Sequence, residues 1–255
     1  MAVIALASAG GSPGVTTTSL GLALAWPRPV LLVDADPTGT AGVLSGFFRG
    51  AWAPELSLID LALSPLGVAD ALPTVAQRLD GTAVSIVAGI RDHAQATGLR
   101  DLWAPLTQAL ADLEATGQDV IVDGGRLGLP GYPEPLLNAA DLTLMVTRSP
   151  LPALAAARTW SATVRRPDSG WRNPAAILVG EGQPYKASDV AKVIGLPVLG
   201  VLPDDPEAAA VYYRGAHAPA RFESGTYVRS LVALTEVIQA AIARSRSQLV
   251  EEVSR

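Results

Sequence analysis

Near-continuous runs of Val, Ile and Leu recur along the chain, separated by segments whose apolar residues return every three to four positions. A strand buried on both faces shows no polar alternation, whereas a helix shows one apolar stripe. On that basis the sequence predicts strands at Val3–Ser8, Pro29–Asp34, Ala83–Ala88, Asp119–Asp123, Leu142–Thr147, Ala175–Gly180 and Val198–Leu202. It predicts helices at Thr16–Ala25, Val68–Leu79, Leu99–Ala115, Leu151–Val164, Ala187–Ile194 and Val228–Arg244. Their alternation implies an α/β fold: a doubly wound, mostly parallel sheet with helices on both faces. The Pro- and Gly-rich stretch Leu127–Pro135 reads as a loop, and no internal repeat divides the chain. Residues 1–244 therefore read as one domain, and the tail 245–255 as a C-terminal helix extension or a frayed end.

Composition narrows the function classes. With 49% hydrophobic and 17% charged residues among 255, the chain can bury a sizeable core and does not read as disordered. No apolar run approaches the roughly 18 residues a membrane span needs. The apolar start lacks basic residues and runs straight into a glycine loop, unlike a signal peptide. The absence of cysteine excludes disulfides and thiolate metal sites and fits a cytoplasmic setting. A net charge of −5 argues against a surface that coats nucleic acid. The only lysines are Lys186 and Lys192, so any lysine needed near the N-terminus must come through folding or from another chain.

The chemistry concentrates at Ala9-Gly-Gly-Ser-Pro-Gly-Val-Thr-Thr-Thr, between the first predicted strand and the first predicted helix. In a phosphate-binding loop, GxxxxGK[ST], backbone amides wrap the phosphates, lysine adds charge, and the hydroxyl binds Mg²⁺. Gly14 and Thr16 keep the second glycine and the hydroxyl, while Ala9 and Val15 replace the first glycine and the lysine. Two further strands end in acids: Asp34 and Asp36 after one, Asp123 after the other. Ligands in open α/β sheets bind at these carboxyl ends, so hydroxyl and acids together suit a Mg²⁺–phosphate group. Asp34 reads equally well as a hydrogen-bonding cap of its loop. Without the acids, a ligand-free glycine turn would be the plainer reading. Gly10-Gly-Ser-Pro-Gly also matches the GxSxG nucleophile elbow, with Asp204 and His217 downstream. Pro13 has no N–H to give an oxyanion, and the motif follows the first strand, so the hydrolase reading fails.

Taken in order, these segments resemble the MinD/ParA family of deviant P-loop ATPases. The family's KGGxGKTT is similar to Gly10-Gly-Ser-Pro-Gly-Val-Thr-Thr, and its DxDPQG to Asp34-Ala-Asp-Pro-Thr-Gly. Val120–Gly125 resembles its second switch, and Ala140–Thr147 and Gly195–Pro206 are similar to later family stretches. The resemblance covers about residues 1–240. It implies ATP or ADP with Mg²⁺, bound by Gly10, Gly11, Ser12, Gly14, Val15, Thr16 and Thr17. It further implies a metal held by Thr16, Asp123 and Asp34, with Asp36 positioning the attacking water.

The departures change the expected activity. Gly10 and Val15 stand where the family carries two lysines, one reaching the phosphates in cis and one crossing a dimer. Gly180-Glu181 stands where members often place an adenine-reading Asn. Charge-assisted hydrogen bonds are worth about 1.5–3 kcal/mol each, so losing two weakens triphosphate binding on the order of a hundredfold or more. Hydrolysis should suffer further. Arg126 and Arg148 are candidate replacement charges, although each reads more simply as a surface residue.

The expectation is a degenerate, TadZ/CpaE-like member: a homodimeric positioning or scaffold factor with weak or absent hydrolysis. Such a protein would serve a localised machine such as a pilus or secretion system, cytoplasmic or recruited to the inner membrane through a partner. An active ATPase using a replacement Arg or a partner's Lys, and a partition protein binding DNA, are the alternatives. The final helix has adjacent acids and no aromatic, which suits solvent or a dimer contact better than a membrane. Phe47-Phe-Arg-Gly-Ala-Trp reads as a core edge, Trp26, Trp103 and Trp160 as sheet-packing, and His93 and His217 as solvated or structural.

Overall fold

Eight strands form one sheet in the computed structural model, which describes residues 2–39, 42–113 and 117–253. They are β1 (Val3–Ser8), β2 (Val30–Asp34), β3 (Gln77–Arg78), β4 (Val84–Val87), β5 (Asp119–Arg126), β6 (Leu142–Arg148), β7 (Pro174–Val179) and β8 (Val198–Leu202). The order is β3-β4-β2-β5-β1-β6-β7-β8. All neighbours are parallel except β3 and β4. The central strands β1, β2, β5 and β6 are the apolar runs of the sequence, and nearly every residue in them is buried.

Helices cover both faces, as two-sided burial requires. Helices α2 (Leu58–Ala62), α3 (Val68–Val75), α4 (Trp103–Asp112), α5 (Glu134–Ala139), α6 (Leu151–Val164) and α7 (Ala187–Ile194) close one apolar layer. Helices α1 (Val15–Ala25), α8 (Pro206–Arg214) and α9 (Thr226–Val253) close the other. In that second layer Gly21 lets α1 lie against α9, because a β-carbon there would come within 2.9 Å of Leu231 Cδ1. The aromatic cluster rims the same layer: Phe47, Phe48 and Trp52 are half-buried, with ring centroids 5.0 and 4.8 Å apart. Trp26 Nε1 donates to Asp119 at 2.8 Å and Trp103 Nε1 to the Gly131 carbonyl at 3.0 Å. His93 and His217 are exposed.

The elements depart from the sequence expectation in physically readable places. The helix predicted over Val68–Leu79 stops at Val75, because Gln77 and Arg78 pair antiparallel with β4. Leu99–Ala115 divides into a 3₁₀ segment, His93–Leu102, and α4, while its final residues, Glu114 and Ala115, lie outside the described residues. Helix α5 lies partly within the stretch predicted as loop; its prolines fall at its start, where a missing N–H costs nothing. Helix α8 also opens on proline, after Asp205 caps it by accepting from the Ala208 N–H at 3.0 Å. Helix α9 begins at Thr226 and continues through the tail to Val253; residues 254–255 lie outside the described residues.

Candidate functional site

Strand β1 hands the chain to the glycine turn at the carboxyl edge of the sheet. Gly11, Ser12 and Gly14 have φ of 76°, 46° and 100°, all in the left-handed region. Left-handed residues of this kind let a loop aim its amides into an anion-accepting concavity, to which Pro13, lacking an N–H, adds no donor. At Gly11 the constraint is conformational rather than steric, since a β-carbon there would meet nothing within 4 Å. Gly14 precedes α1 without any side-chain cap. Leading amides of α1 thus remain available as donors, reinforced by the helix dipole.

A cleft of about 730 Å³ opens over this turn. Ser12, Pro13, Gly14, Val15, Thr16 and Thr17 form part of its wall. Val15 itself packs into the second apolar layer at 7% exposure, and Pro13 is buried. Neither fills the cleft.

Three acids sit at the carboxyl ends of the neighbouring strands; Asp36 lines the cleft, and Asp123 lies beside Thr16. Asp34 and Asp123 are paired in register across β2 and β5, and both are buried. Asp34 accepts hydrogen bonds from the backbone N–H groups of Asp36 and Gly89, so its carboxylate braces the loop that follows β2. Burial first, then the charges of Asp123 and Asp36, push its carboxyl well above the usual range. Asp36 accepts from the Thr38 N–H at 2.9 Å and lies against Gly125, where any β-carbon would collide with its carboxyl.

Asp123 carries the clearest signal. Its Oδ1 accepts from the Gly125 N–H at 3.1 Å, while its Oδ2 is buried without a hydrogen-bond partner. Burial and then the Asp36 charge push this carboxyl up to about 7, against the opposing effect of the nearby Thr16 hydroxyl and of the Gly125 amide. Buried oxygens in native proteins are nearly always satisfied, so an orphaned carboxylate oxygen beside a hydroxyl marks a place for a donor or a cation. Mg²⁺ fits that donor set, since it takes few protein ligands and completes its shell with water and phosphate oxygens. Among the described residues no three or more His, Cys, Asp or Glu are grouped to hold a metal unaided. A divalent ion here would therefore depend on the phosphates that accompany it.

The far wall holds Arg148, a candidate replacement charge in the sequence, together with Asp204, Tyr213 and Tyr227, which the sequence did not single out as nucleotide-binding groups. Arg148 Nη1 meets Asp204 Oδ2 at 2.7 Å across 56 positions of sequence. Tyr213 and Tyr227 line the same end, and Tyr227 is pushed up to about 12, chiefly by burial. Gly180, where an adenine-reading Asn is expected, has φ of 76°, and a β-carbon there would lie 3.2 Å from Asp204 Cβ. The available signal was Asp204-Asp205-Pro206 at the carboxyl end of β8, the edge where ligands gather. Asp204 and His217 are not joined to Ser12 by any hydrogen bond among the described residues, in keeping with the failed hydrolase reading.

A mostly parallel sheet with a glycine turn leading into a helix, a hydroxyl on that helix and acids from adjacent strands has the architecture of the P-loop NTPase fold. Within it, this chain has the fold of the MinD and ParA ATPases. The cell division ATPase MinD of Pyrococcus furiosus aligns over 94% of this chain and 99% of its own, with a TM-score of 0.74 and 20% identity. The septum site-determining protein MinD of Pyrococcus horikoshii, solved with Mg-ADP, aligns over 93% and 95%, at 0.71 and 20%. A ParA family ATPase from Chlorobium tepidum aligns over 92% and 98%, at 0.65 and 15%. No protein-family model matches the chain, and neither does any curated protein sequence.

Proposed function

We propose that this chain is a Mg²⁺-nucleotide-dependent positioning factor that binds ATP or ADP through backbone amides and hydrolyses it slowly or not at all. The observation carrying this reading is the orphaned Asp123 Oδ2 beside Thr16, beneath an open cleft and against a lysine-free glycine turn. Backbone N–H groups of Gly10, Gly11, Ser12, Gly14, Val15, Thr16 and Thr17 hold the phosphates, Pro13 having none to give, with Gly11, Ser12 and Gly14 setting the path of the turn. Thr16, through its hydroxyl, and Asp123, through its carboxylate, would hold the Mg²⁺. The ion supplies charge neutralisation of the phosphate oxygens. Asp34 is a brace rather than a ligand in this reading, because its carboxylate is already engaged by two backbone amides. Asp36 orients water to the extent that hydrolysis occurs.

Loss of both loop lysines lowers affinity and turnover without removing the cradle, which suits a protein that uses nucleotide as a conformational signal. The signal closes a homodimer, and the dimer places a protein partner of a localised machine. The factor acts in the cytoplasm or at the inner membrane through that partner; no helix among the described residues is long and apolar enough to cross a membrane. Residues 1–244 make up the nucleotide unit, and residues 245–253 extend its last helix. Analytical ultracentrifugation with and without Mg-ATP, beside a phosphate-release assay, tests this function. A nucleotide-promoted dimer with little released phosphate is expected. Rapid phosphate release, abolished by Asp36→Ala, would select the enzyme reading instead.

A further inference from the structure

We infer that Arg126 is the cation that grips the nucleotide's polyphosphate in place of the missing loop lysines. The inference rests on the nucleotide reading above and supplies the charge that reading lacks. Strand β5 runs past Asp123 to Arg126, and its pairing with β1 shifts register between Leu6 and Ser8, so that Ser8 faces Arg126. The Leu127 N–H then donates to the Ser8 carbonyl at 2.9 Å, tying the end of β5 to the residue before the glycine turn. Two glycines permit this path. A β-carbon on Gly124 would come within 2.8 Å of Leu137 Cδ2, and one on Gly125 would strike Asp36.

The result is a guanidinium beside the start of the turn. Arg126 Nη2 lies 3.9 Å from where a β-carbon on Gly10 would be, at the place from which a lysine at position 10 would extend. Arg126 also lines the cleft. Its guanidinium has no hydrogen-bond or ion-pair partner among the described residues. The other cation lining the cleft, Arg148, is already held by Asp204 at 2.7 Å. An unpaired guanidinium with a planar fork of donors matches phosphate oxygens in a bidentate way. The structure thus places one uncommitted positive charge over a turn that has lost its own.

The test is calorimetric titration of the full chain with Mg-ATP and, separately, with magnesium tripolyphosphate, which carries the phosphates without a base. Arg126→Ala should weaken both on the order of ten- to a hundredfold, the range of one charged hydrogen-bonding group. Arg126→Lys should recover part of the loss. Because the side chain is exposed, thermal melting of the variants without ligand should match the parent. Arg126→Gln, which keeps reach and polarity, serves if the alanine chain melts early. If the parent binds and Arg126→Ala binds equally well, the Arg126 assignment is wrong while the nucleotide reading stands. If the parent binds neither probe, both fall.

Discussion

Replacing Asp123 by Asn separates the cost of this site from its use. In the ligand-free chain the Asp123 carboxyl is pushed from its ordinary 3.8 up to about 7 by burial and by Asp36. The native state therefore holds the proton more tightly than the unfolded chain. The stability this group contributes is complete below about pH 3.8 and is lost as pH rises through about 7. A rise of about three units, at about 1.36 kcal/mol each, puts the penalty of ionised Asp123 on the order of 4 kcal/mol at pH 8. Asn keeps an acceptor for the Gly125 amide and cannot ionise. Urea unfolding at pH 5 and pH 8 should therefore show the variant more stable than the parent by about 1–2 kcal/mol at pH 5 and by on the order of 4 kcal/mol at pH 8. With Mg-ATP added, the parent should gain stability by mass action and the variant should gain much less. A variant less stable than the parent at pH 8, or one with the same pH slope, would refute the reading of Asp123 as an unsatisfied buried charge.

Two further perturbations address neighbouring parts of the site. Thr16→Ala removes the hydroxyl facing Asp123 and should make residual ATP binding insensitive to Mg²⁺, read by titration with and without chelator. Gly10→Lys combined with Val15→Lys should tighten Mg-ATP binding by about a hundredfold and raise phosphate release. Because Val15 packs into the apolar layer, the Val15 change should also lower folding stability by roughly 1–3 kcal/mol in denaturant unfolding.

The sheet was legible because each central strand is an apolar run buried on both faces, and such a run admits little else. Val3–Ser8 and Val198–Leu202 are found with the boundaries expected. Two-residue β3 and the short α2 and α5 were not legible, since five or six residues show no periodicity and Pro and Gly mask α5. At the site, the turn, Thr16, Asp36 and Asp123 could be read because each lies just where a strand or the first helix turn delivers it. The pairing of Arg148 with Asp204 could not, because it joins the ends of β6 and β8, strands separated by β7. The place of Arg126 depends on a register shift between β1 and β5 that no local pattern announces. Asp34 stayed ambiguous for a similar reason: one of its backbone donors is Gly89, beyond the end of β4.

The central claim is that a lysine-free turn still forms a working cradle for magnesium-bound polyphosphate. Calorimetric titration of Mg-ATP into the unmodified chain tests it most directly. Saturable heat that depends on Mg²⁺, and that loses this dependence in Thr16→Ala, is the predicted result. No heat with ATP or ADP at any attainable protein concentration, Mg²⁺ present, would contradict it.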